Sequence, residues 1–272
     1  MQSCGANRTE RVESEPDAGF IDVHCHCLPG LDDGPSDVPS TLALCRALAA
    51  DRIRTVVATP HQLGRYDGRY DVETIRQAVA QLNALLVKAQ VPLHVLPGAD
   101  VRIDERIGGL VRSDRVLTVA DGGRYLLLEL PHEVFIDPET LLAELTQAGL
   151  RGVITHPERH MFLGECPEYV RRWAAYRPCL QVTAASFLGG FGRRSERAAW
   201  AFLQEPLPVL VATDAHDTTG RAPCMTEAYR LLCRHLGRER ADILCVENPR
   251  RLVTGEELAL LNSGPGGAQN TR

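Results

Sequence analysis

The chain predicts an α/β fold arranged as a TIM-like barrel. Three observations support this: seven short apolar runs recur along 272 residues, amphipathic stretches separate them, and several runs end in histidine or an acid. The runs are FIDVHCH (20–26), TVVATPH (55–61), LHVLPGAD (93–100), YLLLELP (125–131), GVITHP (152–157), LQVTAAS (180–186) and VLVATDAH (209–216). Between them lie helix-like stretches such as DVPSTLALCRALAADR (37–52), DVETIRQAVAQLNALLVKAQ (71–90) and DPETLLAELTQAG (137–149). All three open on an aspartate, and in two of them it is placed to cap the first turn. Strands alternating with helices make parallel βαβ units, and about seven units favour a closed barrel over an open sheet. No repeat, long linker or low-complexity block divides the chain, so residues 20–262 read as one domain. The polar start (1–19) and the tail (263–272) are expected to be disordered.

Composition narrows the function. The chain is 44% hydrophobic and 24% charged, as in ordinary globular domains, with a net charge of −5 and no basic block. That disfavours a nucleic-acid partner. No apolar run has the length of a membrane span, and the first residues lack the apolar centre of a signal peptide. Nine cysteines form an odd set without a CxxC pair, which suggests reduced thiols in a cytoplasmic protein. Lys88 is the sole lysine.

The rare residues fall where barrel enzymes place their chemistry. His24, His26, His61, His132, His156 and His216 lie at or just past the C-terminal ends of the runs, as do Asp100, Glu129 and Asp214. His94, His160 and His235 do not share that placement. Residues two apart on a strand share a face, so Asp22, His24 and His26 are expected on one side and Val23, Cys25 and Cys27 on the other. Two imidazoles on one face can grip a divalent ion, and Asp33 on the following loop can serve another. Imidazole and carboxylate without thiolate suit Mn, Fe or Zn better than copper or an iron–sulfur cluster. Adjacent metals about 3.5–4 Å apart can clamp a phosphoryl group and generate hydroxide at neutral pH.

Taken together, HCHCLPGLDDG, ATPH, PGADVRI, LLLELP, THPERH and ATDAH resemble the PHP (polymerase and histidinol phosphatase) superfamily. The likeness is strongest to its bacterial protein-tyrosine phosphatases of the capsule and exopolysaccharide type, and runs in order from about Ile21 to Asn248. It implies a distorted (β/α)7 barrel of the PHP type and a three-metal site, usually supplied with Mn²⁺, that hydrolyses phosphotyrosine on proteins. Carried over by position, it implies that His24, His26 and Asp214 hold the first metal and that Asp100 bridges to the second. Glu129 and His156 would complete the second, and Asp33, His61 and His216 would hold the third. It further implies that Arg159 and Arg221 bind phosphate and that the substrate is a tyrosine-phosphorylated protein, a bacterial tyrosine kinase controlling polysaccharide export. One departure stands out: the family's bridging acid is typically Glu, and Asp100 is one methylene shorter. Four carboxylates against three divalent ions leave the implied centre net positive, which suits a phosphate carrying about −1.5 to −2 at pH 7.

Rival readings leave marks in the sequence too. Cys-x5-Arg spacings, as in thiol phosphatases, occur at Cys166–Arg172, Cys224–Arg230 and Cys245–Arg251. CPEYVRR and CMTEAYR read as helix and lack the glycines of a phosphate-cradling loop. Metal amidohydrolases also begin with HxH, but many need a lysine bridge, and Lys88 sits inside a helix-like stretch. A histidinol-phosphate phosphatase would share the same metal site, and a scaffold protein could keep the metals without turnover. GGFGRR (189–194) fits neither GxGxxG nor the P-loop and is expected to be a strand-to-helix loop at the barrel mouth.

Overall fold

The structure is a computed structural model that describes Pro16 and residues 18–261. Among these residues nine strands run parallel, in two sheets. β1 (Phe20–Cys25), β2 (Ile53–Ala58), β3 (His61–Gln62), β4 (His94–Pro97), β5 (Asp100–Arg102), β6 (Tyr125–Glu129), β7 (Arg151–Thr155), β8 (Cys179–Thr183) and β9 (Val209–Ala212) divide into β1-β2-β4 and β3-β5-β6-β7-β8-β9. The helices are α1 (Val38–Ala50), α2 (Val72–Lys88), α3 (Ile107–Arg112), α4 (Glu139–Gln147), α5 (Met161–Glu165), α6 (Ala184–Phe187), α7 (Gly192–Phe202), α8 (Met225–Leu236), α9 (Arg238–Asp242) and α10 (Asn248–Thr254). The stretches expected to be disordered lie outside the described residues, apart from Pro16, Ala18 and Gly19.

The seven apolar runs survive, but two of them break. TVVATPH leaves one sheet at Ala58 and re-enters the other at His61, while LHVLPGAD does the same between Pro97 and Asp100. Pro60 and Pro97 lie at the breaks, where proline's missing N–H makes a continuous ladder unworkable. Gly98 is required beside the second break, because a Cβ there would stand 2.6 Å from Val57 Cγ1. The ends of the series meet: Cys25 bridges to Ala215 in parallel, His26 N donates to Ala215 O at 2.9 Å, and Asp214 N donates to His24 O at 2.8 Å.

Two apolar clusters flank the strands. The larger packs helix residues such as Leu44, Leu82, Leu142 and Phe202 against the outward strand faces. The smaller gathers Val23, Val57, Leu127, Val153, Cys179 and Leu210 from the strands and is sealed by Leu252 and Leu258. Here one expectation fails. Val23 joins this inner cluster, whereas Cys25 and Cys27 join the outer one. The register between β1 and β2 shifts between Asp22 and Cys25, and the extra residue reverses the alternation at that point.

Asp37 and Asp71 cap α1 and α2, accepting from Ser40 N and Thr74 N, each at 2.8 Å. GGFGRR is not a strand-to-helix loop: the single turn of α6 intervenes after β8, and the last three residues of the motif open α7. CPEYVRR lies across the end of α5 and a 3₁₀ helix over Pro167–Tyr176, and CMTEAYR opens α8.

The N-terminus of α8 has no capping side chain of its own. Asp51, at the end of α1, fills the role, its carboxylate accepting from Met225 N at 2.5 Å and Thr226 N at 3.0 Å. Asp51→Ala is expected to cost about 1–2 kcal/mol, the scale of a lost helix cap. Equilibrium urea unfolding checks this, and a wild-type midpoint would contradict it.

Candidate metal centre

Six of the strands, or the loops that follow them, deliver side chains to a common point above the inner apolar cluster. From β1 and the loop after it come His24, His26, Asp32 and Asp33; from β3, His61; from β5, Asp100; from β6, Glu129. His156 follows β7, and Asp214 and His216 follow β9. Two of these residues need unusual backbone. His156 has φ of 35° and Asp214 of 53°, a region that non-glycine residues seldom occupy. Neighbouring strands hold them there, since His156 N donates to Gln181 O at 2.8 Å and Asp214 N to His24 O at 2.8 Å.

The imidazoles and carboxylates interleave. The Nε2 atoms of His24 and His26 are 3.2 Å apart, and each lies 3.4 Å from Asp214 Oδ1. Asp100 Oδ2 lies 3.6 Å from His24 Nε2, 3.5 Å from His61 Nδ1 and 3.9 Å from His156 Nε2. Asp33 Oδ1 lies 3.4 Å from His61 Nε2 and 3.6 Å from His216 Nε2. Glu129 Oε2 is 3.7 Å from His61 Nδ1 and is held by Arg102 Nη1 at 3.0 Å. Arg159 and Arg221 both place Nη2 on Asp214 Oδ2, and Arg221 Nη1 lies 2.8 Å from His216 Nε2.

This donor set fits divalent cations. Asp100 Oδ2, Asp214 Oδ1 and His61 Nδ1 are buried and have no hydrogen-bond partner among the described residues, although each faces the shared centre. Buried acceptors in that state are costly unless cationic charge meets them. Burial pushes His24 down to about 3 and His61 to about 4, and it also lowers His156 and His216. Neutral imidazole is the ligating form. His26 differs: burial opposes its charge, but the Asp32 and Asp214 carboxylates push it up to about 10. Burial would also raise Asp214, yet His24 and the guanidiniums of Arg159 and Arg221 hold it well below the usual carboxylate range. Asp100 goes the other way, raised by burial and then by Glu129.

The structure brings all nine expected ligands and both arginines together. Among the described residues five groupings place their ligand atoms within 4.8 Å of one another, the first three being His24–His26–Asp214, His26–Asp33–His61–His216 and His24–Asp100–His156. The last differs from the expected second set, because Glu129 groups instead with His61 and Asp100 and with His132 and His156. A cleft of about 370 Å³ opens on the centre, lined by Asp33, His61, Tyr66, Arg102, Glu129, His132, Arg159 and Arg221 among others.

Comparison with known proteins gives the architecture a family. Residues 20–254 match the family model for capsular polysaccharide synthesis, CpsB/CapC. The chain belongs to the CpsB/CapC family. It is 33% identical over 242 residues to the tyrosine-protein phosphatase YwqE of Bacillus subtilis, covering 88% of this chain and 93% of that one. It is 27% identical to the tyrosine-protein phosphatase CpsB of Streptococcus pneumoniae, covering 86% and 98%. In solved structures it superposes with a TM-score of 0.84 at 32% identity, over 88% of this chain and 96% of the other, in work on YwqE and CpsB described as metal-dependent tyrosine phosphatases. A lactonase from Listeria monocytogenes, 15% identical with a TM-score of 0.53 over 88% of this chain and 96% of the other, shares the fold alone.

Some working parts of this CpsB/CapC chain carry no motif. Asp32, the first acid of DDG, bonds His26 Nδ1 at 2.6 Å and accepts from His61 N at 3.1 Å. Gln181, mid-strand in LQVTAAS, holds His24 Nδ1 at 2.8 Å. These contacts fix the tautomers that turn Nε2 of both rings inward. Gly34 lets the loop close, since a Cβ would sit 2.3 Å from the His26 carbonyl oxygen. Phe191, in the glycine-rich segment, packs its ring 4.7 Å from the Arg159 guanidinium. The thiol reading finds no support: Cys166 ends α5, Cys224 precedes α8, Cys245 is buried, and none lines the cleft. Lys88 is exposed at the end of α2, outside the cleft lining.

Asp22 supports the centre from below rather than joining it. Its carboxylate accepts from Thr213 N at 3.0 Å and from the Thr213 hydroxyl, binding β1 to the segment that presents Asp214. Asp22→Ala leaves those buried donors without an acceptor, and the expected loss is roughly 1–3 kcal/mol. Thermal and urea unfolding of the variant measure it; wild-type stability would show that the β1–Thr213 contact is dispensable.

Proposed function

We propose that this chain is a metal-dependent protein-tyrosine phosphatase, a phosphoric monoester hydrolase working without a cysteine nucleophile. The observation that carries the reading is the meeting of two cleft-lining arginines on Asp214, the same acid that faces His24 and His26. An anion-binding pair and a cation-binding cluster thus share one wall. The names and metal dependence of YwqE and CpsB support the same conclusion.

In this reading the fold is the distorted (β/α)7 barrel of the PHP type, its domain spanning 20–262. His24, His26 and Asp214 would hold one ion, Asp100, Glu129 and His156 a second, and Asp33, His61 and His216 a third, with Mn²⁺ the preferred metal and Fe or Zn the alternatives. The ions, when bound, supply Lewis-acid charge against the phosphoryl oxygens. Arg159 and Arg221 hold the phosphate's remaining oxygens, which suits planar guanidinium donors. Phe191 fixes the direction of Arg159. Tyr66 and Leu63 give the cleft an apolar wall against which a phenyl ring can lie. The protein substrate would be a bacterial tyrosine kinase governing polysaccharide synthesis or export, met in the cytoplasm.

Kinetics on a phosphotyrosine peptide, with histidinol phosphate as comparator, test the reading. Arg159→Ala and Arg221→Ala should each retain metal and lose about 10²–10³ in kcat/KM, the scale of removing one preorganised donor. Wild-type kinetics in both variants, or a preference for histidinol phosphate, would contradict it.

A further inference from the structure

Resting on the metal-dependent reading, we propose that His132 is a further metal ligand, joining Glu129 and His156 at the second cation position, where the short side chain of Asp100 reaches least. Glu129, His132 and His156 each offer a ligand atom, and those three atoms lie within 4.8 Å of one another. Ligands about 2.0–2.2 Å from an ion stand at most roughly 4.4 Å apart. Side-chain adjustments of a few tenths of an ångström therefore suffice.

The surroundings of His132 agree with that role. It stands three residues beyond Glu129, past the end of β6, and lines the cleft with Glu129 and His156. Its ring meets that of His156 edge-on, with centroids 5.2 Å apart and planes at 79°. The backbone is anchored, because His132 O accepts from Met161 N at 3.0 Å. The imidazole itself has no hydrogen bond or ion pair with the described residues. It is a positioned ring with both nitrogens available.

Asp100 supplies the need. Thr155 Oγ1 donates to its Oδ1 at 3.1 Å, so Oδ2 is left to face His24, His61 and His156. A carboxylate one methylene shorter than glutamate, and tied on one oxygen, reaches less far towards Glu129. Glu129 meanwhile shares its carboxylate with Arg102. His61, the other imidazole near Glu129, also faces Asp33 and Asp100, so an ion on the Glu129 side would gain a donor from His132.

The test is metal content and affinity in the full chain, loaded with Mn²⁺, exchanged into metal-free buffer and measured by elemental analysis and calorimetry. His132→Ala and the more conservative His132→Gln should fold as wild type by circular dichroism, because the Met161 contact is to backbone. Each should lose one ion per chain or bind it at least ~10-fold more weakly. Adding Asp100→Glu to His132→Ala should recover that ion, since the longer acid reaches across. Unchanged stoichiometry and affinity in both His132 variants would overturn the inference while leaving the metal-dependent reading intact. A wild-type chain that binds no Mn²⁺ would remove both.

Discussion

The Asp214 carboxylate is the contact on which the rest of the centre depends. One oxygen faces His24 and His26 at 3.4 Å, and the other receives Arg159 and Arg221. A fully buried acid without partners would be strongly destabilising. Here two guanidiniums and the imidazole cluster offset that cost. The left-handed backbone at Asp214 is stabilised by its hydrogen bond to His24 O and by the Asp22–Thr213 contact one residue earlier. The same few bonds therefore join the first and last strands and set the direction of the acid that links the candidate metal ligands to the arginines.

The broken strands explain why the centre lies so deep. A continuous β2 or β4 would extend one ladder along the whole stave. Instead Pro60 and the Pro97–Gly98 pair end one sheet, and β3 and β5 restart in the other. His61 and Asp100 pair at that restart, which puts a histidine and an acid side by side within the wall. His61 can then turn Nε2 towards Asp33 and Nδ1 towards Asp100 and Glu129, so its ring spans two groups of ligands.

Much of this was legible in the sequence because barrel chemistry collects at strand ends. The seven apolar runs and the histidines and acids that close them needed only periodicity and position. Val23 was misplaced because a register shift reverses the face of a strand and leaves no compositional trace. Asp32 and Gln181 escaped for a different reason. The first acid of DDG looks like a ligand or a turn residue, and a lone glutamine in a strand looks like core, until the fold sets them behind His26 and His24. GGFGRR departs from the expected strand-to-helix loop because the single helical turn before it has too little periodicity to show in sequence. The groupings around Glu129 are out of reach for a different reason: they depend on side-chain distances between separate strands.

Although the chain is acidic overall, its cleft brings Arg102, Arg159 and Arg221 together with Asp33, Glu129 and Asp214, and in the proposed reading bound cations would make the local charge suit an anion. The most direct measurement is phosphotyrosine-peptide hydrolysis by the chain after exhaustive chelation and again after Mn²⁺ is restored. The account predicts loss of turnover on stripping and its return on reloading, in step with measured metal content. Full activity in protein shown to be metal-free would contradict it.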